Sequence, residues 1–133
     1  MVCINSCIEV DLLGQIAAET VNGYQFSGSG GQLNFVNGAN IAEDGKGKVI
    51  FAFHSTFTDS CGQLQSKITP FLKPYSVVTT PRNCVDYIVT EYGIASLKWK
   101  DDRERAKSLI EIAHPQFRNW LKEEYKKHFG LDL

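Results

Sequence analysis

An α/β fold, built as an open mixed or mainly parallel sheet flanked by helices, is what three features of this 133-residue sequence predict. Lys48 to Phe53 is a nearly unbroken apolar run, the pattern of a strand covered on both faces. Ile8 to Leu12 alternates apolar and acidic residues, the period of a strand with one buried face. In the last third, Ala106, Leu109, Ile110 and Ala113 fall on one helical face, and a second apolar stripe follows Pro115.

The length suits a single domain over residues 1–133 with a core of real size. Hydrophobic content of 43% and charged content of 22% are globular values and argue against disorder. A net charge of -1 gives no footing for nucleic acid, which asks for a basic excess. No apolar run approaches membrane-spanning length, and Met1 to Asn5 lacks the charged and then apolar regions of a leader. Cys3, Cys7, Cys61 and Cys84 form no Cys-x-x-Cys pair and the three histidines are scattered, so the expectation is reduced thiols in a cytoplasmic protein without a metal. The chain opens directly on strand-like residues, as though cut from something longer.

The strand at Ile8 to Leu12 turns at Leu13-Gly14 into Gln15 to Glu19, a hairpin in which Glu9 and Asp11 are expected on a solvent face. Gly23 to Phe26 is a short extended segment. Asp44 to Gly47 is a turn, Lys48 to Phe53 the apolar strand, and His54-Ser55-Thr56 comes at its carboxyl end, where α/β sheets place ligand-contacting groups. No Gly-x-Ser-x-Gly elbow surrounds Ser55, so His54 and Ser55 read as loop residues and not as base and nucleophile. Ser66 to Phe71 and Ser76 to Thr80 are candidate strands separated by Pro74, and Val85 to Thr90 is another. Glu91, at its end, is either a functional acid or a structural hydrogen-bond acceptor. Asp101 with Glu104 predicts a capping box, Pro115 a helix start and Gly130 a helix stop; Phe117, Trp120, Leu121, Tyr125 and Phe129 form a stripe expected in the core.

Gly28-Ser29-Gly30-Gly31-Gln32 is the stretch with most chemical potential. Three glycines in four positions allow unusual backbone angles and remove the Cβ atoms that hold a ligand off the main chain. If a helix begins near Gln32, its free first-turn amides would face a phosphate, carboxylate or developing oxyanion. The spacing matches neither the dinucleotide fingerprint, since Leu33 stands where a glycine is needed, nor a P-loop, since Gln32 follows Gly31. On spacing alone, a plain tight turn is the alternative.

Taken together, Ile4-Asn5-Ser6 with Ile8 to Asp11, Gly14-Gln15, Phe26 to Gln32, Phe35, Gly38-Ala39, Val78 to Arg82, Val85-Asp86-Tyr87, Val89 to Gly93, and the tail from Arg105-Ala106 through Ile112 to Pro115 and Phe117-Arg118 resemble the C-terminal domain of the acetyl-CoA hydrolase/transferase family. That group includes 4-hydroxybutyrate and butyryl-CoA:acetate CoA-transferases. The resemblance implies an open fold of the CoA-transferase type, transfer of CoA between an acyl-CoA and a small carboxylic acid, and a homo-oligomer, with an acetyl-CoA hydrolase domain or a non-catalytic coenzyme A-binding or assembly module as the alternatives. It also implies a glutamate nucleophile upstream of Ile4-Asn5-Ser6, so that no catalytic residue is expected in these 133 residues and an N-terminal half is expected as partner. By motif position it assigns Ile8 and Gly31 as coenzyme A contacts, Ser27, Gly28 and Gly30 as the loop lining, and Lys48 as a further, phosphate-side contact. Relatives usually carry Asp at the position of Asn34, Arg at Asn37, Pro at His54, Asp at Cys84 and Gly at Trp99, while the glycine loop itself is intact.

Overall fold

The computed structural model describes residues 1–133. In chain order, β1 (Val2–Asn5) is followed by the hairpin β2 (Glu9–Asp11) and β3 (Ile16–Ala17), and by a ribbon of β4 (Thr20–Val21) and β5 (Tyr24–Gln25). The glycine loop then feeds α1 (Gln32–Asn40). Next come β6 (Lys48–Ala52), a hairpin of β7 (Thr56–Thr58) and β8 (Leu64–Ser66), and β9 (Ile68–Thr69). A 3-10 turn at Arg82–Cys84 precedes β10 (Tyr87–Thr90), β11 (Gly93–Ser96), α2 (Asp102–Glu111) and α3 (Pro115–Phe129).

The main sheet has the order β1-β6-β10-β11, with the first three strands parallel and β11 antiparallel at the edge. A smaller sheet, β3-β2-β9, packs beside it. Side chains of one parity, Cys3, Val49, Phe51, Ile88 and Ala95, are buried in a single cluster with residues of the second sheet and all three helices. Only one face of β6 is therefore clothed, whereas its apolar run predicts cover on both.

Local signals place the helix ends. Asp101 accepts from the Glu104 amide while the Glu104 carboxylate accepts from the Asp101 amide, so two orphan first-turn donors are satisfied reciprocally. Pro115 occupies the first turn of α3, and Gly130 ends it in the left-handed region at φ 68. Of the α3 stripe, Leu121 and Tyr125 are buried, but Trp120 and Phe129 are exposed; the expectation of a wholly buried stripe is corrected to that extent.

Three other expectations change. Glu9 and Asp11 are buried and not on a solvent face: the Lys73 amide and the Ser76 hydroxyl close over Glu9, and the hairpin turn at Leu13 and Gln15 closes over Asp11. Asp11 folds its carboxylate over the hairpin turn, with Oδ1 accepting from the Leu13 and Gln15 amides and Oδ2 from Gln15 Nε2. Burial pushes its carboxyl up, and these hydrogen bonds counter only part of the shift. The strand expected at Ser66 to Phe71 stops at Thr69, since Pro70 has no N–H to donate. Ser76 to Thr80 makes only one bridge, Thr80 to Ile16, because Val77 and Val78 remain exposed and offer no face to bury.

Arg105 ties the layers together. It is 9% exposed, and its guanidinium donates to the carbonyls of Lys100, Leu13 and Arg82, linking the start of α2 to the hairpin turn and the 3-10 turn.

Trp99 sits at φ 63 and is 92% exposed, so it combines a strained backbone with almost no buried contact. Trp99→Gly should raise stability by about 0.5–1 kcal/mol, the relief of the left-handed strain less the entropy glycine adds to the unfolded chain. A urea midpoint that stays put or falls would contradict this.

Candidate functional site

The three parallel strands all end on one edge of the sheet, and the chain leaves them at Ser6, Phe53 and Glu91. Two hydrogen bonds pin the first residue of α1 to this edge. Gln32 Nε2 donates to the Ser6 carbonyl, and Gln32 Oε1 accepts from Thr80 Oγ1. The glycine loop is fixed at its other end by the Phe26 and Ser27 amides, which both donate to the Glu19 carbonyl. It is thus held at the carboxyl ends of the strands, the side on which open α/β sheets bind ligands.

Between those anchors the backbone is exposed and its amides are unpaired. None of the amides from Gly28 to Asn34 donates to another group of the chain. The N-cap of α1 is Gly31, which has no side chain to satisfy the first turn, and no acidic residue occupies that turn. The positive end of the helix therefore faces solvent without an internal counter-charge.

The glycines divide by what the fold asks of them. Gly30 needs its freedom, since it sits at φ 58. Gly28 and Gly31 do not lie in the left-handed region, and a Cβ at Gly31 would meet only the Phe35 ring, at 3.7 Å. Nothing in the fold forbids side chains at those two positions. Their absence opens the main chain to whatever approaches it.

Ile8 lies elsewhere, half-buried in the wall of a cavity of about 280 Å³ that Cys7, Glu9, Thr20, Lys67 and Lys73 also line. Burial pushes the Cys7 thiol well above its ordinary range. Glu9 Oε1 accepts from Ser76 Oγ and the Lys73 amide, while Oε2 has no partner. The β4–β5 ribbon, which supplies Thr20 and Val21 to that wall, runs directly into the glycine loop. Ile8 and Ser27 to Gly31 thus flank the same ribbon. Lys48 is not brought to them: it begins β6, opposite Val2, on the amino edge of the sheet.

Sequence reasoning missed the pairing at the carboxyl edge. A cleft of about 470 Å³ there is lined by Ser6, Phe53, His54, Lys67, Thr90 and Glu91. Glu91 accepts from both the Ser55 amide, at 2.8 Å, and Ser55 Oγ, at 2.7 Å. Of its two readings, the structural acceptor is the one these bonds describe. The partners stand 36 residues apart, so no local motif announces them.

Desolvation would raise the Glu91 carboxyl, but the side-chain and backbone hydrogen bonds from Ser55 outweigh it and hold the group below its ordinary 4.5. Its contribution to stability is complete above that ordinary value and is lost as pH falls through the lower folded value. Ser55→Ala should move the carboxyl upward and flatten the acid-side fall of stability between about pH 5 and 3. An NMR titration of the Glu91 carboxyl in both proteins checks it, and an unchanged midpoint in the variant would refute the assignment.

No helix is long and apolar enough to cross a membrane. Residues 1–125 match the family described as acetyl-CoA hydrolase/transferase C-terminal domain. The chain is 52% identical over 129 residues to a 4-hydroxybutyrate coenzyme A transferase of Clostridium kluyveri, covering 97% of this chain and 29% of that protein. It is 48% identical over 126 residues to a butyryl-CoA:acetate CoA-transferase of Anaerostipes caccae, covering 95% of this chain and 28% of the relative. Among solved structures it resembles RipA from Yersinia pestis, with a TM-score of 0.82, 42% identity, and cover of 98% of this chain and 28% of that one. The chain therefore spans under a third of the length of these relatives. An α/β sheet with a bare glycine loop at its carboxyl edge and a match over nearly all its residues place this chain in the acetyl-CoA hydrolase/transferase family, as a C-terminal domain.

Proposed function

We propose that these 133 residues are the coenzyme A-binding part of a CoA-transferase that moves CoA between an acyl-CoA and a free carboxylate of the 4-hydroxybutyrate, butyrate and acetate class. The observation that carries this reading is the run of unpaired amides from Gly28 to Asn34, opened by two glycines that the fold does not require. Ser27, Gly28, Gly30 and Gly31 line the approach, with Ile8 on the far side of the ribbon. Lys48, on the opposite edge, is left out of this grouping.

The attacking carboxylate comes from a glutamate outside these residues, as the family resemblance implies. It adds to the thioester carbonyl, and expulsion of CoA thiolate leaves an acyl-glutamyl anhydride. The thiolate then attacks the glutamyl carbonyl, releases the first carboxylate and leaves a glutamyl-CoA thioester. The acceptor carboxylate reverses the sequence. Every step passes through a tetrahedral oxyanion, and fixed amide donors near that oxygen lower its energy without rearranging. The four free thiols suit reaction in a reducing cytoplasm.

Exchange of labelled acetate into butyryl-CoA tests the proposal. The chain alone should give none, and adding the portion of the Clostridium kluyveri transferase that the match does not cover should restore it. Robust exchange by the chain alone would overturn the placement of the nucleophile. The family description also names hydrolysis; release of free CoA by the combined proteins without an acceptor acid would favour that reading.

A further inference from the structure

The main sheet has one face in the core and one open face, and the open face is apolar; its central residues Ile50, Ala52, Tyr87 and Val89 are half-buried and its edge residues Ile4 and Ile94 are exposed. Ile4, Ile50 and Tyr87 stand side by side across β1, β6 and β10, and Ala52, Val89 and Ile94 form the next row across β6, β10 and β11. Ile4 is 66% and Ile94 69% exposed. Lys48 and Ser96 are the polar residues of this face, both at its margin. A strand with one solvated face alternates apolar with polar residues, because an exposed apolar row gains nothing from folding. β1 and β6 instead carry apolar residues on both faces, the composition of parallel strands covered on both sides.

From this we infer that the open face is the docking surface for apolar-faced helices of the polypeptide that makes up the rest of the full-length relatives, of which this chain covers 29% in the Clostridium kluyveri transferase. The inference rests on the proposed function, since it assigns the place where the companion part sits. Helices are the expected occupant because they are what covers parallel sheets. A second copy of the chain fits less well: a face four strands wide at about 4.8 Å spacing and three rows deep offers roughly a few hundred Å², below the roughly 800 Å² per partner of a stable association. A companion that also meets the carboxyl edge reaches the larger area.

Thiol labelling tests the surface. In a background carrying Cys61→Ser and Cys84→Ser, single reporters are introduced by Ile4→Cys, Ile94→Cys and, on the exposed side of α3, Glu123→Cys. Maleimide labelling is followed with and without the uncovered portion of the Clostridium kluyveri transferase, alongside butyrate exchange and the mass of the complex. Labelling at Ile4→Cys and Ile94→Cys should slow at least about tenfold on mixing, with Glu123→Cys unchanged. Ile94→Asp, folded by circular dichroism, should weaken assembly at least about tenfold. Exchange that returns while both sheet reporters still label fast overturns the docking surface and leaves the proposed function standing. No complex and no exchange overturns the function and, with it, the surface. Reporters already slow in the chain alone, with a dimeric mass, would assign the face to a second copy.

Discussion

Gly31→Val is expected to abolish most coenzyme A affinity while leaving the fold intact. The backbone at Gly31 is at φ -94, which valine tolerates, and the nearest neighbour of an added Cβ is the Phe35 ring at ordinary contact distance. Loss of a glycine N-cap for a β-branched one costs about 0.5–1 kcal/mol of helix stability. A branched side chain there stands between the ligand and the adjacent amides, and one or two lost donors at a few kcal/mol correspond to a weakening of about a hundredfold. Calorimetric titration with butyryl-CoA, run with the companion polypeptide present, reads the loss, and thermal unfolding reads the fold. Affinity within threefold of the parent would remove the loop from the site. Gly28→Ala, whose added Cβ would meet only the Gly30 nitrogen at 4.0 Å and which lies outside the left-handed region, should fall between the parent and Gly31→Val.

Gly47→Ala is expected to cost about 3 kcal/mol or more and to lower the melting temperature by about 10 °C. A Cβ at this position would lie 1.7 Å from the Ala39 carbonyl oxygen and 2.7 Å from its carbon, both main-chain atoms that cannot swing aside. Either the last turn of α1 or the start of β6 must move. Gly45→Ala is the matched comparison: nothing lies within 4 Å of its added Cβ, and its φ of 64 alone predicts a loss of about 1 kcal/mol. Equal unfolding midpoints for the two variants would contradict the packing argument.

What could be read from the residues was what short-range physics decides. The capping box of Asp101 and Glu104, Pro115 at the start of α3, Gly130 at its end and the first residue of α1 are all set within a few positions, and all stand where the sequence puts them. The match to the acetyl-CoA hydrolase/transferase family was legible because its motifs keep their order along nearly the whole chain. Burial of Glu9 depends on Lys73 and Ser76, 64 and 67 residues later, and so could not be seen in the alternation of β2. The Ser55–Glu91 pair and the edge that Lys48 occupies are likewise products of strand order. The apolar run of β6 asks for cover on both faces, and these residues supply one.

Amide resonances give the most direct test of the central claim, that bare main chain from Gly28 to Gly31 receives coenzyme A. In the complex of nitrogen-labelled chain and unlabelled companion, titration with butyryl-CoA should shift the amides of Gly28, Ser29, Gly30, Gly31 and Gln32 together and saturably. They should stay in place when the chain carries Gly31→Val. Saturable binding that moves other amides and leaves these five still would contradict the account.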